Sequence, residues 1–146
     1  MPRERARAPL AASTSIIQRL SFYGVRMAER SPLIGIGAVN AAIAVAAGAF
    51  GAHGLRERLD ARALQIFETA AQYQMYHALA LVLCGVIATR GATTAGWILQ
   101  VGIVVFSGSL YALALTGVKG LGAITPLGGV AFLVGWGWLA WSARRG

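Results

Sequence analysis

The segment LIGIGAVNAAIAVAAGAFGA, Leu33 to Ala52, runs for twenty residues without a charge. As an α-helix it is about 30 Å long, which matches the hydrocarbon thickness of a bilayer. A soluble helix of that length needs a polar face towards water, and here only Asn40 interrupts the apolar run. The segment therefore reads as a membrane span. Pro32, directly after Ser31, suits the first turn of such a helix, where its missing N–H costs nothing. Ala38, Ala42 and Ala46 recur every four residues, as do Ala44, Gly48 and Ala52. Small residues at that spacing let helices approach closely in lipid, so this first helix is expected to be buried among its neighbours.

Composition carries the same reading to the whole chain. Of 146 residues, 57% are hydrophobic and 12% charged, and mean hydropathy is +0.63. That leaves too few solvating side chains for a soluble domain and room for one compact membrane domain. The net charge of +8 would point to nucleic acid in a soluble protein. Here six of the thirteen Lys and Arg precede Ser31, and most others sit in connections or at the C-terminus. The charge reads as membrane orientation, with the bilayer as partner and no nucleic acid. Cys84 stands alone in ALALVLCGVIA, which rules out an internal disulfide and makes it a small packing residue.

Beyond the first span, His53 and Gly54 end the helix, and the short charged connection LRERLD follows. Asp60 is placed to cap a long second helix from Ala61 to about Ala88, with its membrane span near 70–89. Gly91 to Thr94 reads as a tight turn, leading to a third span from Ala95 to about Leu115. GVKGLGA reads as a loop, and Thr125-Pro126 as a cap and first-turn proline opening a fourth span near 124–142. Trp136, Trp138 and Trp141 suit an interfacial aromatic belt.

The first thirty residues are a basic extension, distinct from the membrane domain of residues 31–146. They do not read as a secretory signal, because the apolar run that follows is a full span without a small-residue cleavage site. From Ser15 to Arg30, Ile16, Leu20, Tyr23 and Met27 share one helical face edged by Arg19, Arg26 and Arg30. That suits an amphipathic helix lying in an anionic interface; a disordered basic tail is the alternative. The resulting fold class is all-α: an integral membrane four-helix bundle with an additional basic N-terminal segment.

Three segments, GAFGAHGL (Gly48–Leu55), FETAAQYQMYHALAL (Phe67–Leu81) and FSGSLYALALTGVKGLGAITPLGGVAFLVGW (Phe106–Trp136), closely resemble a family of small four-span membrane proteins. It is the domain-of-unknown-function family that includes the YgdD and YwdK proteins of bacteria and a eukaryotic transmembrane protein. The likeness covers about Leu33 to Trp141, and the extension before Ser31 departs from the usual short N-terminus. The resemblance implies a four-helix integral membrane fold and supplies no activity, cofactor or catalytic residue.

Four spans put nine Lys and Arg (Arg3, Arg5, Arg7, Arg19, Arg26, Arg30, Arg90, Arg144, Arg145) on the side of the termini. Four (Arg56, Arg58, Arg62, Lys119) lie on the other. By the positive-inside rule both termini are expected in the cytoplasm, across a bacterial cytoplasmic (inner) membrane. Polar groups within the spans need partners, because no water reaches them. Counting ~1.5 Å per residue, Asn40 and Gln100 fall within ~3 Å of one depth and are a candidate interhelical pair. His77 and Ser107 both lie about 18 Å up, which suggests a cluster of His77 with Ser107 or Ser109, Tyr73 and Tyr111.

An ionisable residue inside a membrane is a functional candidate, yet a neutral His77 serving as interhelical glue explains the same position. His53 at a helix end is accounted for by capping. Glu68, Gln72 and Tyr76 share a face that points either into the bundle or towards a partner, and an inward Glu68 is placed to clamp Arg56 or Arg58 of the loop. No second carboxylate or nucleophile completes a reaction site, and His53, His77, Glu57, Asp60 and Glu68 lack metal-ligand spacing. The expectation is a non-enzymatic structural or accessory protein without metal or cofactor, packing with itself or a larger membrane complex. The competing reading is a transporter, channel or small-ligand binder whose polar site uses His77, Glu68, Gln72 and Tyr73.

Overall fold

The first apolar segment forms helix α1, Pro32–Phe50, with Pro32 in its first turn. Its axis continues through a π-helical turn, Gly51–Leu55, so that 24 residues run on from Pro32. The computed structural model describes residues 31–145; the readings made above for the basic extension lie outside the described residues. Helix α2, Ala61–Ile87, opens where Asp60 Oδ1 accepts the Ala63 N–H at 2.8 Å. This satisfies one of the donors a helix start leaves unpaired. Helix α3 is Arg90–Thr116 and helix α4 is Thr125–Ser142, joined through a 3₁₀ turn at Lys119–Ala123.

Besides His53 and Gly54, which are expected to end the first helix and lie inside its π-helical continuation, two boundaries differ from the sequence reading. The turn between α2 and α3 falls at Ala88-Thr89, with Ala88 in the left-handed region (φ 54°) and the Thr89 hydroxyl accepting the Ala92 N–H. Gly91, the expected turn residue, is helical. Its missing side chain serves packing, because a Cβ there would overlap Ser142 of α4. At the other boundary Thr125 does not cap α4. It lies inside the helix, and its hydroxyl turns back to the Leu121 carbonyl at 3.4 Å.

Consecutive helices pack against one another, α1 on α2, α2 on α3 and α3 on α4, whereas no Cα of α1 comes within 8 Å of α4. Glycines bring the backbones together. A Cβ on Gly37 would lie 2.7 Å from the Ala78 carbonyl oxygen of α2, and one on Gly128 would overlap the Phe106 backbone of α3. The main apolar core joins Leu33, Leu81, Cys84, Ala95, Leu99 and Phe132, drawn from all four helices. A smaller core of Leu55, Phe67 and Ala114 lies under the connections.

Burial separates the helices. Half of the most apolar window of α2 is buried, against 22%, 28% and 17% for the spans containing α1, α3 and α4. The expectation that α1 is enclosed by its neighbours is thus corrected: Ala38, Ala42 and Ala46 are exposed, and α2 and α3, each packed between two neighbours, are the inner helices. Small residues permit a close approach but do not say from which molecule the approaching helix comes. The outward surface carries Val39, Ile43, Leu79, Leu83, Val101, Val104 and Leu133, all about half exposed or more. An apolar surface of this extent is incompatible with water and suits lipid.

Candidate functional site

The buried face of α2 repeats through Phe67, Ala70, Gln74, His77, Ala78 and Leu81, so Gln74 is a polar residue in the middle of a core stripe. It is 5% exposed, about 20 Å from either end of the helix. Its Nε2 donates to Asn40 Oδ1 of α1 at 3.3 Å, and its Oε1 accepts from the Tyr111 hydroxyl of α3 at 2.9 Å. Asn40 Nδ2 in turn donates to Gln100 Oε1 of α3 at 3.1 Å and to the Ile36 carbonyl at 2.9 Å. Three helices are thereby joined by one chain of hydrogen bonds.

The direction of that chain follows from one group. A backbone carbonyl only accepts, so the Asn40 atom beside Ile36 O is the amide nitrogen. Asn40 Oδ1 must then accept from Gln74 Nε2, which leaves Gln74 Oε1 to accept from Tyr111. Every donor points the same way, from Tyr111 through Gln74 and Asn40 to Gln100, an alignment in which each bond polarises the next. Side-chain amides hold their protons, so the Asn40, Gln74 and Gln100 members of this chain fasten helices and are themselves neither acid nor base.

The second cluster lies towards α4. His77 is 6% exposed, and its Nδ1 lies 2.7 Å from the Tyr73 carbonyl of the preceding turn, so Nδ1 carries the proton. The imidazole lies flat on Phe132 (centroids 3.4 Å apart, planes at 8°), with Tyr73 and Trp136 at 6.1 and 6.3 Å. No Cα of α2 comes within 8 Å of α4, so aromatic rings bridge the two helices.

The candidates named from sequence separate accordingly. Asn40 and Gln100 meet. Of the cluster expected around His77, Tyr73 alone supplies a hydrogen bond, through its carbonyl: Tyr111 binds Gln74, and Ser109 Oγ meets Thr125 Oγ1 at 2.8 Å and Phe106 O at 3.0 Å. Ser107 Oγ is, among the described residues, a buried polar atom without a hydrogen-bond partner. Counting residues along a helix yields height but not the direction a side chain takes, which is why equal depth did not produce contact.

The set His77, Glu68, Gln72 and Tyr73 divides into two faces. Glu68 and Gln72 line a groove of about 470 Å³ between α1 and α2, with Ala44, Gly48, Met75 and Tyr76. His77 and Tyr73 face α4. Nine residues at ~100° each place Glu68 and His77 half a turn apart. Glu68 is exposed, so the inward clamp onto Arg56 or Arg58 is also corrected. His53 is exposed in the π-helical turn and makes no capping bond among the described residues. Among the described residues no three His, Cys, Asp or Glu gather as metal ligands. The sequence reading passed over Gln74, whose signal was its place in the stripe of Phe67, Ala70, Ala78 and Leu81.

At the end of α4, Trp138 and Trp141 pack with ring centroids 5.0 Å apart, and the Arg145 guanidinium sits 3.9 Å above Trp141. Tryptophan beside arginine at a helix end is the arrangement of a membrane–water interface. Four apolar helices that turn amides inward and Val, Leu and Trp outward define a multi-span helical membrane protein. The chain belongs to the family described as "Protein of unknown function (DUF423)", whose model matches residues 47–129.

It is 52% identical over 106 residues to the UPF0382 membrane protein YwdK of Bacillus subtilis (strain 168), covering 69% of this chain and 86% of that protein. To a UPF0382 membrane protein of Staphylococcus epidermidis (strain ATCC 12228 / FDA PCI 1200) it is 56% identical over 106 residues, 69% of this chain and 85% of the relative. No solved structure matches the chain.

Proposed function

We propose that this protein is a non-enzymatic accessory component of a bacterial cytoplasmic membrane assembly, associating through α1 with a second copy or with a larger complex. The observation that carries this reading is the exposed line of Ala38, Ala42 and Ala46 on a helix that makes no approach to α4. Small residues facing lipid gain little where they are, because lipid tails solvate them as well as protein does. Against another helix they allow backbone approach and dispersion contact. The buried amide chain supports the same reading, since it engages the buried Asn40 and Gln74 in fastening helices. In this proposal the termini face the cytoplasm, supported by nine Lys and Arg on their side against four on the other.

The competing reading, a transporter or ligand binder, loses the constellation on which it rested, because Glu68 and Gln72 point away from Tyr73 and His77. Crosslinking of the native protein in membranes, followed by purification in mild detergent, tests the proposal. A covalent partner or self-pair captured through α1, and lost on Ala42→Leu, is expected. A strictly monomeric protein with no captured partner overturns it.

A further inference from the structure

A pocket of about 700 Å³ opens beside the connections, at the end of the bundle away from the termini. Three cationic side chains from two separate connections surround it: Arg58 before α2, Arg62 in its first turn, and Lys119 at the start of the 3₁₀ turn. All three are exposed. One carboxylate, Asp60, shares the wall, and its Oδ1 is already engaged by the Ala63 N–H. The lining thus carries three positive charges against one negative, and the N-terminal end of α2 adds the partial positive charge of its free N–H groups.

The floor differs chemically from the rim. Leu59, Ile66, Leu113 and Ala114 line it, and Ala114 belongs to the smaller buried core. Gly117, at φ 69°, forms part of the wall and ends α3 without placing a side chain in the opening. A cationic rim over an apolar floor, at the ends of two membrane-crossing helices, is complementary to an amphiphile with an anionic head and an apolar tail. The volume lies within the roughly 300–1,000 Å³ of small-ligand sites.

We propose that this pocket binds an anionic phospholipid, with the phosphate held by Arg58, Arg62 and Lys119 and the first part of an acyl chain on Leu59, Ile66 and Leu113. Arginine suits the role because its planar fork matches two phosphate oxygens. The inference is independent of the association proposed through α1, since it uses the α1–α2 and α3–α4 connections and no residue of that helix.

The test uses the full chain in mild detergent, with native mass spectrometry and thermal unfolding in the presence of phosphatidylglycerol, phosphatidylcholine or inorganic phosphate. Retention of phosphatidylglycerol at least 10-fold above phosphatidylcholine is expected, with a raised unfolding midpoint. Combined R58Q, R62Q and K119Q is expected to remove that preference, while R144Q with R145Q at the other end leaves it. Lys119→Glu alone, at an exposed position outside the α-helices, is expected to weaken retention several-fold and serves if the triple variant does not fold. Equal retention of the two lipids, equal loss in the R144Q/R145Q control, unchanged retention in the triple and Lys119→Glu variants, or the same stabilisation by inorganic phosphate overturns the proposal.

Discussion

Helices α1 and α2 run side by side and obey opposite rules from those of a soluble protein. Helix α1 has a single polar side chain, Asn40, and 22% of its most apolar window is buried; α2 buries two, Gln74 and His77, and half of its most apolar window is buried. In water the more apolar helix would occupy the centre. In lipid the apolar helix is already solvated, and the helix with polar groups must be enclosed by partners that satisfy them. The buried polar groups of α2 thus place it between α1 and α3, and Asn40 is the point at which α1 joins that arrangement.

The largest effect expected from breaking this contrast is at the seam itself. Gly37→Leu forces a side chain into the Ala78 carbonyl and should separate α1 from α2, costing about 3 kcal/mol. Reversible unfolding of the protein in mixed micelles measures it, and a cost under 1 kcal/mol would mean that the seam is not tight.

Gln74→Leu comes next. It strands the Tyr111 hydroxyl and the Asn40 carbonyl oxygen in the core, for about 2 kcal/mol by the same measurement. A neutral outcome would show that the amide chain fastens nothing.

A double-mutant cycle of Asn40→Ala with Gln100→Ala should give a smaller coupling, about 0.6 kcal/mol, the usual size for one hydrogen bond between membrane helices. Zero coupling would detach Gln100 from the chain. Smallest of all, Val39→Leu on the lipid face should change stability by less than about 0.5 kcal/mol. A large loss there would place this face against protein within the monomer.

Much of this was legible in the residues. The uncharged run from Leu33, the Asp60 cap and the common depth of Asn40 and Gln100 follow from helix rise, bilayer thickness and the chemistry of helix ends. The opposition of Glu68 and His77 was legible as well, since their spacing is half a turn; proximity in sequence masked it. Gln74 was overlooked because polar residues surround it in sequence, although only Gln74 and His77 among them fall on the core stripe.

Other features depended on neighbours. Gly91 carries a turn signal, but the contact with Ser142 uses it for packing and leaves the left-handed turn to Ala88. The aromatic bed of His77 required Phe132, more than fifty residues away, to arrive from α4.

By itself the sequence determined that four helices cross a membrane and how deep each polar residue lies, because a helix advances by a constant rise and lipid tolerates only satisfied backbone. Tertiary structure alone decided that α2 lies between α1 and α3, that Gln74 links Tyr111 to Asn40, and that α1 keeps Ala38, Ala42 and Ala46 outward. Those outcomes depend on the rotation of each helix about its axis and on which neighbour it meets. Both are settled when all four helices pack together, and neither is a property of any one span.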